Sequence, residues 1–311
     1  MRSRTKAYLA AGLYACTVGF SFLFIKLALK SASPLDVLAH RFLTAFIAAL
    51  PPLLMGKTKL HLREFASILP LALFYPALFF LLQTFGLMFI PSSEAGMLLA
   101  VAPVLTLLLA SVWLKERTNY KQILFVLLSV GGVVFVSMMK GADMGVLGLR
   151  GGALLLGAAI SMAFYAVLAR KLAKQYTVYK LTLMMSFTGF LLFNGIALAS
   201  RAAAGTLPAF FAPFADPVYV IAVLFLGIVA SFLSAFLSNY ALTELQASKM
   251  SVFSNLATVI AMFAGAVFLR EPLHWYHITG GAAIIAGVLG TNWWSTKAEV
   301  PETAVEGIKI K

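Results

Sequence analysis

Residues 217–243 read PVYVIAVLFLGIVASFLSAFLSNYALT and contain no Asp, Glu, Lys or Arg. A helix needs about 20 such residues to cross the hydrocarbon core of a bilayer. Eight further charge-free runs of at least 18 residues occur in the chain, at 7–25, 65–93, 95–114, 122–139, 151–169, 181–200, 250–269 and 272–296. With 61% hydrophobic and 11% charged residues, the chain has the composition of an integral membrane protein.

A tenth apolar stretch lies between the first two of these runs. Residues 42–56 are too few to span a bilayer, but extension upstream through Arg41 to Leu35 gives a full-length helix. Backbone polar groups cannot stay unpaired in lipid, and no segment alternates with the period of two expected of a barrel strand. The sequence therefore predicts an all-α membrane protein with ten transmembrane helices.

The basic residues predict the orientation of these helices. If the N-terminus is cytoplasmic, 17 Lys and Arg residues fall in cytoplasmic segments. Only six fall outside when Arg41 is set aside as intramembrane, and these are Lys26, Lys30, Lys140, Arg150, Arg201 and Arg270. Because cytoplasmic loops are enriched in basic residues, both termini are predicted to be cytoplasmic. The net charge of +13 is then explained by membrane orientation, and no nucleic-acid partner is expected.

An internal repeat divides the chain into two halves. A shift of 155 positions aligns Leu114-Lys115-Glu116 with Leu269-Arg270-Glu271 and Gly132-Val133 with Gly287-Val288. We predict a first five-helix repeat in residues 1–145, a second in 146–296, and a disordered cytoplasmic tail in 297–311. Because five is an odd number, the second repeat must enter the membrane inverted. Inverted repeats are typical of secondary transporters, which expose a central site to each side in turn.

Short motifs recur at matching places in the two halves. Phe24-Ile25-Lys26 closes the first stretch, Pro34 precedes Arg41-Phe42 in the second, and Pro103-Val104 lies in the fourth. The triplets at 114–116 and 269–271 are followed by Gly131-Gly132 and by Ala286-Gly287-Val288. In this pattern the chain resembles the EamA-type transporters of the drug/metabolite transporter superfamily over roughly residues 7–295.

The resemblance implies export of amino acids or other small metabolites by a multi-pass protein of the plasma membrane, the inner membrane in bacteria. It also implies a central cavity lined by the first four helices of each half, with the fifth and tenth at the periphery. The sequence departs from the family pattern at Val18, where many relatives have Trp, and at Thr258, which aligns with Pro103. Neither departure affects the predicted architecture.

Polar and aromatic side chains at helical spacing are the candidates for lining this cavity. Ser251 and Asn255 share a face of the ninth helix, and Ser93 and Gly96 lie on the equivalent face of the fourth. Comparable faces carry Tyr14 and Ser21; Tyr75, Phe79 and Gln83; Tyr165; and Ser231, Ser234 and Ser238. The alternative is that these side chains only bond or pack between helices.

Two ionisable residues are candidates for a substrate-sensitive charge pair or gate. Arg41 lies in the second helix, and Glu94 begins the fourth on the same side of the membrane. A carboxylate or ammonium substrate could disrupt a pair between them, since charges inside a membrane usually have a function. Alternatively, Arg41 extends to the lipid head groups.

Competing functions find less support. An enzyme would need a nucleophile with a base, a carboxylate pair or a metal cluster, and the helices contain none, so no catalytic residue, metal or cofactor is expected. An anion exchanger of the nucleotide-sugar or triose-phosphate type would need several cations in its cavity. A non-transporting receptor or scramblase stays open. The small residues Ala282, Ala286 and Gly290 could form a close helix contact within the chain or in a homodimer.

The charge distribution gives a testable topology. A green fluorescent protein fused after Lys297 should be fluorescent, and alkaline phosphatase fused at the same place should be inactive, because both results report a cytoplasmic C-terminus. Active phosphatase at this site would contradict the predicted even number of spans.

Overall fold

A computed structural model describes residues 2–55, 62–113, 119–139, 145–172, 176–244 and 247–294. The α-helices are α1 (Arg2–Ala28), α2 (Pro34–Ala49), α3 (Pro51–Leu54), α4 (Leu62–Ala72), α5 (Phe79–Gly86), α6 (Ser92–Leu99), α7 (Ala102–Trp113), α8 (Tyr120–Met139), α9 (Gly145–Leu172), α10 (Val178–Ala203), α11 (Pro217–Leu224), α12 (Ser234–Glu244), α13 (Ala247–Phe268) and α14 (Trp275–Trp293). The π-helical segments Leu73–Leu78 and Phe225–Leu233 join α4 to α5 and α11 to α12, and two 3₁₀ turns, Leu207–Ala209 and Ala212–Ala215, follow α10. These ranges contain no strand, so the all-α prediction is confirmed for them.

Six helical segments are long and apolar enough to cross a membrane. They are Thr5–Ala28, Ser67–Gly86, Ser92–Leu109, Gly148–Leu168, Tyr179–Ala203 and Pro217–Ser238, and shorter apolar helices occupy Tyr120–Val136, Leu256–Phe268 and Trp275–Gly290. A multi-pass membrane protein is therefore confirmed, whereas the crossing of all ten predicted helices stays a prediction. The triplet Leu114-Lys115-Glu116 and the predicted tail 297–311 lie outside the described residues.

The start of α2 lies within one residue of the predicted start at Leu35. Ser33 caps this helix by accepting a hydrogen bond from the Asp36 N–H, and Pro34 occupies its first turn. This cap places Asp36 inside the first turn, where it is buried. A polar residue at this helix end is thus part of the protein interior.

The third apolar stretch is bent at Tyr75. Its backbone is extended (φ −142°, ψ 117°), and the following Pro76 has no N–H to donate to the helix. The Phe74 carbonyl accepts a hydrogen bond from the Ser161 hydroxyl of α9 at 2.8 Å. The bend therefore turns Tyr75 off the regular helix surface without leaving the neighbouring carbonyl unpaired.

The second half has its π-helical segment at the repeated position. Shifting 73–78 by 155 positions gives 228–233, which lies inside Phe225–Leu233. Here Ser231 donates to the Leu226 carbonyl at 2.9 Å and Ser234 donates to the Ala230 carbonyl at 2.7 Å. Both halves thus interrupt the regular helix at equivalent points and use serine hydroxyls to satisfy backbone carbonyls.

Three pairs of helices join equivalent places in the two halves, and the two helices of each pair run antiparallel. In the α2–α10 pair, Asp36 contacts Arg201 at one end and Tyr179 donates to the Ala49 carbonyl at the other. The order of contacts is reversed in the same way in α6–α13 and α8–α14. In addition, α1 packs on α12 and α13, and α9 packs on α5 and α7.

Glycines bring α8 and α14 into close contact. A Cβ on Gly132 would lie 2.8 Å from the Gly280 carbonyl oxygen, and a Cβ on Gly287 would lie 2.6 Å from the Phe125 carbonyl oxygen. In the internal repeat, Phe125 aligns with Gly280 and Gly132 aligns with Gly287. The contact of Gly132 with Gly280 and the contact of Gly287 with Phe125 are therefore equivalent. The repeat seen in the sequence therefore extends to individual backbone contacts.

The predicted small-residue face of the last helix is only partly used in this contact. Gly290 packs on the Phe125 ring, whereas Ala282 and Ala286 are exposed. The residues that face α8 are Gly280, Gly287 and Gly290, and a Cβ on any of them would contact atoms of α8. A homodimer through the exposed alanines stays a prediction.

We predict that Gly287→Ala lowers the Tm in detergent, because its methyl group would press on the backbone of α8, at a cost of about 1–3 kcal/mol. Gly131→Ala is the matched control, since a Cβ there meets no atom within 4 Å and Ala favours the helix. Equal Tm values for the two variants would contradict this helix contact.

Candidate functional site

Arg41 lies inside the protein, about 10 Å along α2 from its first residue. The side chain is 2% exposed, and its Nε donates to the Ser231 hydroxyl at 2.9 Å. The Nη1 atom is buried without a hydrogen-bond partner. The guanidinium therefore points into the bundle, where lipid head groups do not reach it.

The surroundings of this guanidinium are aromatic and neutral. Its Cζ atom is 4.0 Å from the centroid of the Phe80 ring and 6.0 Å from that of Phe42. Ring faces attract cations, yet they carry no net charge that could cancel the positive charge. Since a buried cation usually has a counter-ion, this arrangement suits the binding of an anion.

Tyrosines extend the aromatic surface next to Arg41. The Tyr75 ring centroid is 4.9 Å from that of Tyr165 and 5.2 Å from that of Phe79. Tyr75 also interacts electrostatically with Arg41 and Tyr14. Tyr14, Tyr75, Phe79 and Tyr165 each keep part of their surface accessible.

These side chains form one site with contributions from both halves of the chain. We call it the Arg41 cluster, and its members are Tyr14, Arg41, Tyr75, Phe79, Phe80, Tyr165 and Ser231. Six of them were predicted from the sequence as cavity residues. Contacts through Phe80 link five of these six, and Tyr14 lies within electrostatic range of Tyr75 and Tyr165. Phe80 was missed, because only the packed structure shows which of two adjacent phenylalanines faces the guanidinium.

An ion pair joins α2 to α10 at the end that the charge count places outside. Arg201 donates from Nε to Asp36 Oδ1 at 2.8 Å and from Nη2 to Asp36 Oδ2 at 2.7 Å. Ser33 donates to the same carboxylate at 2.6 Å, and Arg201 also binds the Thr206 carbonyl. Such a bidentate pair fixes the relative position of two helices as well as contributing energy.

Aromatic rings surround His40 between this ion pair and Arg41. The imidazole is fully buried, and its Nδ1 lies 2.6 Å from the Tyr219 hydroxyl. Its ring centroid is 4.5 Å from that of Phe210 and 4.7 Å from that of Phe214, both in the segment between α10 and α11. We call Asp36, His40, Arg201, Phe210, Phe214 and Tyr219 the outer closure, because they fill the space at this end of α2.

The segment between α10 and α11 is also fixed to the turn between α1 and α2. Ser31 donates to Asp216 Oδ2 at 2.5 Å, and the Val218 N–H donates to Asp216 Oδ1 at 2.9 Å. These hydrogen bonds to the ionised carboxylate lower the pKa of Asp216. Phe210 and Pro213 are buried, whereas most of the segment is exposed.

Glu94 and Arg41 have different partners. The Glu94 carboxylate lies 3.8 Å from His277 Nε2 and interacts electrostatically with Lys26. It borders a cavity of about 310 Å³, formed mainly by aliphatic side chains of α6, α8, α9 and α14. These contacts do not support an Arg41–Glu94 pair, and the gate stays a prediction.

Glu271 caps α6 from the other half of the chain. Its carboxylate accepts hydrogen bonds from the Ser92 N–H at 2.8 Å, the Ser92 hydroxyl at 2.8 Å and the Ser93 N–H at 3.0 Å. A carboxylate at a helix N-terminus also interacts favourably with the helix dipole. Glu271 therefore anchors the start of a helix in the first half of the chain.

The remaining predicted residues lie elsewhere. Gly96 packs on Ala261 of α13, and Ser21 and Ser234 donate to carbonyls of their own helices. Gln83 and Ser93 are buried, and Ser238 is partly exposed. The side chains of Ser251 and Asn255 lie outside the described residues. A role for these residues in binding stays a prediction.

The outer closure was not recognised in the sequence. Ser33-Pro34 followed by Asp36 is typical of a helix start and fits the predicted start of this helix at Leu35. Its pairing with Arg201, 165 positions away, had no local signal. Among the described residues, no group of three His, Cys, Asp or Glu side chains could hold a metal ion.

Comparison with known proteins identifies the relatives of this chain. The profile of the EamA-like transporter family matches residues 5–138 and again 149–293. The uncharacterized transporter YcxC of Bacillus subtilis is 47% identical over 93% of both chains. A probable terminal-alkyne amino-acid exporter of Streptantibioticus cattleyicolor is 26% identical over 68% of this chain and 67% of its own. A crystal structure with 17% identity shares the fold, with a TM-score of 0.60 over 92% of this chain and 99% of the other.

We predict that Glu271→Ala lowers the Tm in detergent, because two N–H groups of α6 lose their acceptor, at a cost of about 1–3 kcal/mol. Glu271→Gln should have a smaller effect, since the amide keeps one acceptor oxygen. Arg270→Ala is the control, because Arg270 is exposed. A Tm of Glu271→Ala equal to that of the control would mean that the cap contributes nothing.

Proposed function

Because the chain belongs to the EamA-like transporter family, we propose that it is a secondary transporter, an exporter, that moves a small metabolite through the Arg41 cluster by alternating access. The observation that carries this proposal is the cluster itself. It combines a buried cation, an unpartnered Nη1 atom and partly accessible tyrosines, and both halves of the chain contribute to it. Sites of this kind, at the interface of two repeats, are typical of secondary transporters.

The proposed topology has ten transmembrane helices in two inverted repeats. The protein lies in the plasma membrane, and both of its termini are cytoplasmic. The antiparallel course of α2–α10, α6–α13 and α8–α14 supports it, since equivalent helices of inverted repeats must run in opposite directions. The two matches of the family profile, one per half, support it as well.

Alternating access requires that one end of the site be closed while the other is accessible. The outer closure lies between the Arg41 cluster and the outer surface, and it joins α2 of the first half to α10 and α11 of the second. We infer that the structure represents a state closed on the outside. Opening would separate Asp36 from Arg201 and Tyr219 from His40.

The solute is a small metabolite with few negative charges. One relative carries the name of a probable amino-acid exporter, which makes small carboxylate-containing metabolites reasonable candidates. Of the Lys and Arg side chains that the structure describes, only Arg41 is buried. A nucleotide-sugar or triose-phosphate type of exchanger, which binds multiply charged phosphates, is therefore the weaker alternative. The proposal includes no catalytic step and no cofactor.

Flux measurements test the proposed function. Proteoliposomes with the purified protein should take up at least one class of a labelled panel of carboxylates, amino acids, sugars, purines and organic cations faster than protein-free liposomes, and uptake should saturate. Arg41→Met should lower this flux at least about tenfold, because loss of a charge-assisted hydrogen bond costs about 1.5–3 kcal/mol. Flux equal to that of protein-free liposomes for every class would contradict a transporter.

Cysteine labelling tests the outer closure without a known solute. In a Cys16→Ser background, Tyr14→Cys places a thiol in the Arg41 cluster. Labelling of intact cells by a membrane-impermeant maleimide should increase several-fold on adding Asp36→Asn, because the bidentate pair is lost. The control is Glu64→Gln, which breaks the ion pair with Lys180 at the opposite end of α10. An equal increase in both would show general loosening.

A further inference from the structure

We propose that the Arg41 cluster selects small monocarboxylates with an apolar, preferably aromatic, body and discriminates against zwitterionic amino acids and cations. This proposal rests on the proposed function, because it names the substrate class of the same site. The carboxylate would bind at Nη1 of Arg41, and the apolar body would lie against Tyr75, Phe79 and Tyr165.

The charge of Arg41 has no protein counter-ion among the described residues. The structure describes five acidic side chains, and each has another partner: Asp36 binds Arg201, Glu64 binds Lys180, Glu94 contacts His277, Asp216 binds Ser31, and Glu271 caps α6. Keeping a guanidinium buried without a counter-ion is unfavourable. A bound anion would remove this penalty, so it should stabilise the protein.

The free donor of Arg41 is placed for a ligand. Ser231 occupies Nε, whereas Nη1 is buried and unpartnered, so a carboxylate would reach Nη1 when the site opens. Phe80 covers one face of the guanidinium at 4.0 Å, which favours approach of an anion in the plane of the group. In-plane approach is the geometry that arginine and a carboxylate prefer.

The rest of the cluster is suited to an uncharged body. Tyr75, Phe79 and Tyr165 offer partly accessible ring surfaces, which bind apolar and aromatic groups. The hydroxyl groups of Tyr75 and Tyr165 can accept or donate hydrogen bonds but cannot neutralise a cation. An amino-acid ammonium group would therefore lose its water without gaining a carboxylate partner, which makes zwitterions poorer ligands than monocarboxylates of the same shape.

The number of charges is limited to one. Arg41 is the only buried Lys or Arg side chain in the part of the chain that the structure describes. A second negative charge on the ligand would lie in the same apolar surroundings without a cation. Dicarboxylates should therefore bind less tightly than monocarboxylates.

A matched series of probes tests the selectivity. Phenylacetate, phenylacetamide, phenylalanine, phenethylamine and phenylsuccinate share a phenyl ring and differ in charge. Each is titrated into the purified full-length protein while thermal unfolding is followed, because a ligand of the folded state raises the Tm. Phenylacetate should have a Kd about 10- to 100-fold below that of phenylacetamide and at least about tenfold below that of each other probe.

Variants assign the selectivity to Arg41. In Arg41→Gln, phenylacetate and phenylacetamide should bind equally, because the charge is gone. In Glu64→Gln, which breaks the ion pair with Lys180 away from the cluster, phenylacetate should remain the preferred ligand. If Arg41→Gln does not fold, the Kd values of phenylacetate and phenylacetamide for the unsubstituted protein decide whether the site prefers a carboxylate.

Several results would overturn the inference. They are tighter binding of phenylalanine or phenethylamine than of phenylacetate, an unchanged preference in Arg41→Gln, or no binding of any probe. In the last case, saturable flux of another solute class would leave the proposed transport function intact. Conversely, binding of phenylacetate without flux of any panel member would support the site and contradict transport.

Discussion

Inside a bilayer every backbone N–H and C=O group must find a partner within the protein, and the structure depends on this constraint at each point where a helix is interrupted. The bend at Tyr75 leaves carbonyls to be satisfied, and Ser161 of the other half donates to one of them. The equivalent interruption in the second half uses Ser231 and Ser234. Likewise, the N–H groups that begin α6 bind Glu271. Polar side chains at these interruptions thus act as partners of the backbone, and Ser161 and Glu271 do so across the two halves.

Ser231 connects this backbone requirement to the candidate site. Its hydroxyl donates to the Leu226 carbonyl and accepts from Nε of Arg41, so the same residue completes the π-helical segment and orients the cation. Phe80 holds the other side of the guanidinium. The cation is therefore held in place, and none of the acidic side chains that the structure describes compensates its charge. This combination of fixed geometry and unmet charge distinguishes Arg41 from the paired Arg201 and Lys180.

Contacts between the halves fall into two kinds with different consequences for movement. The α8–α14 pair is held by glycines in backbone contact, and such close packing resists relative displacement. At the outer end, α2 and α10 are held by an ion pair and by aromatic rings around His40, which can separate without breaking a helix. One helix pair held by backbone contact and another held by side chains alone would allow the two repeats to rock against each other, as the proposed transport cycle requires.

The sequence by itself determined the all-α membrane class, the order of the apolar stretches, the repeat at 155 positions and the candidate residues Tyr14, Arg41, Tyr75, Phe79, Tyr165 and Ser231. These follow from hydropathy and helical spacing, which are local properties. Only the tertiary structure decided that Arg41 binds Ser231, that Asp36 is buried against Arg201, and that Gly287 rather than Ala286 faces α8. The physical reason is that lipid and protein interior are equally apolar. Hydrophobicity therefore places a helix in the membrane, but it does not say which of its faces meets another helix.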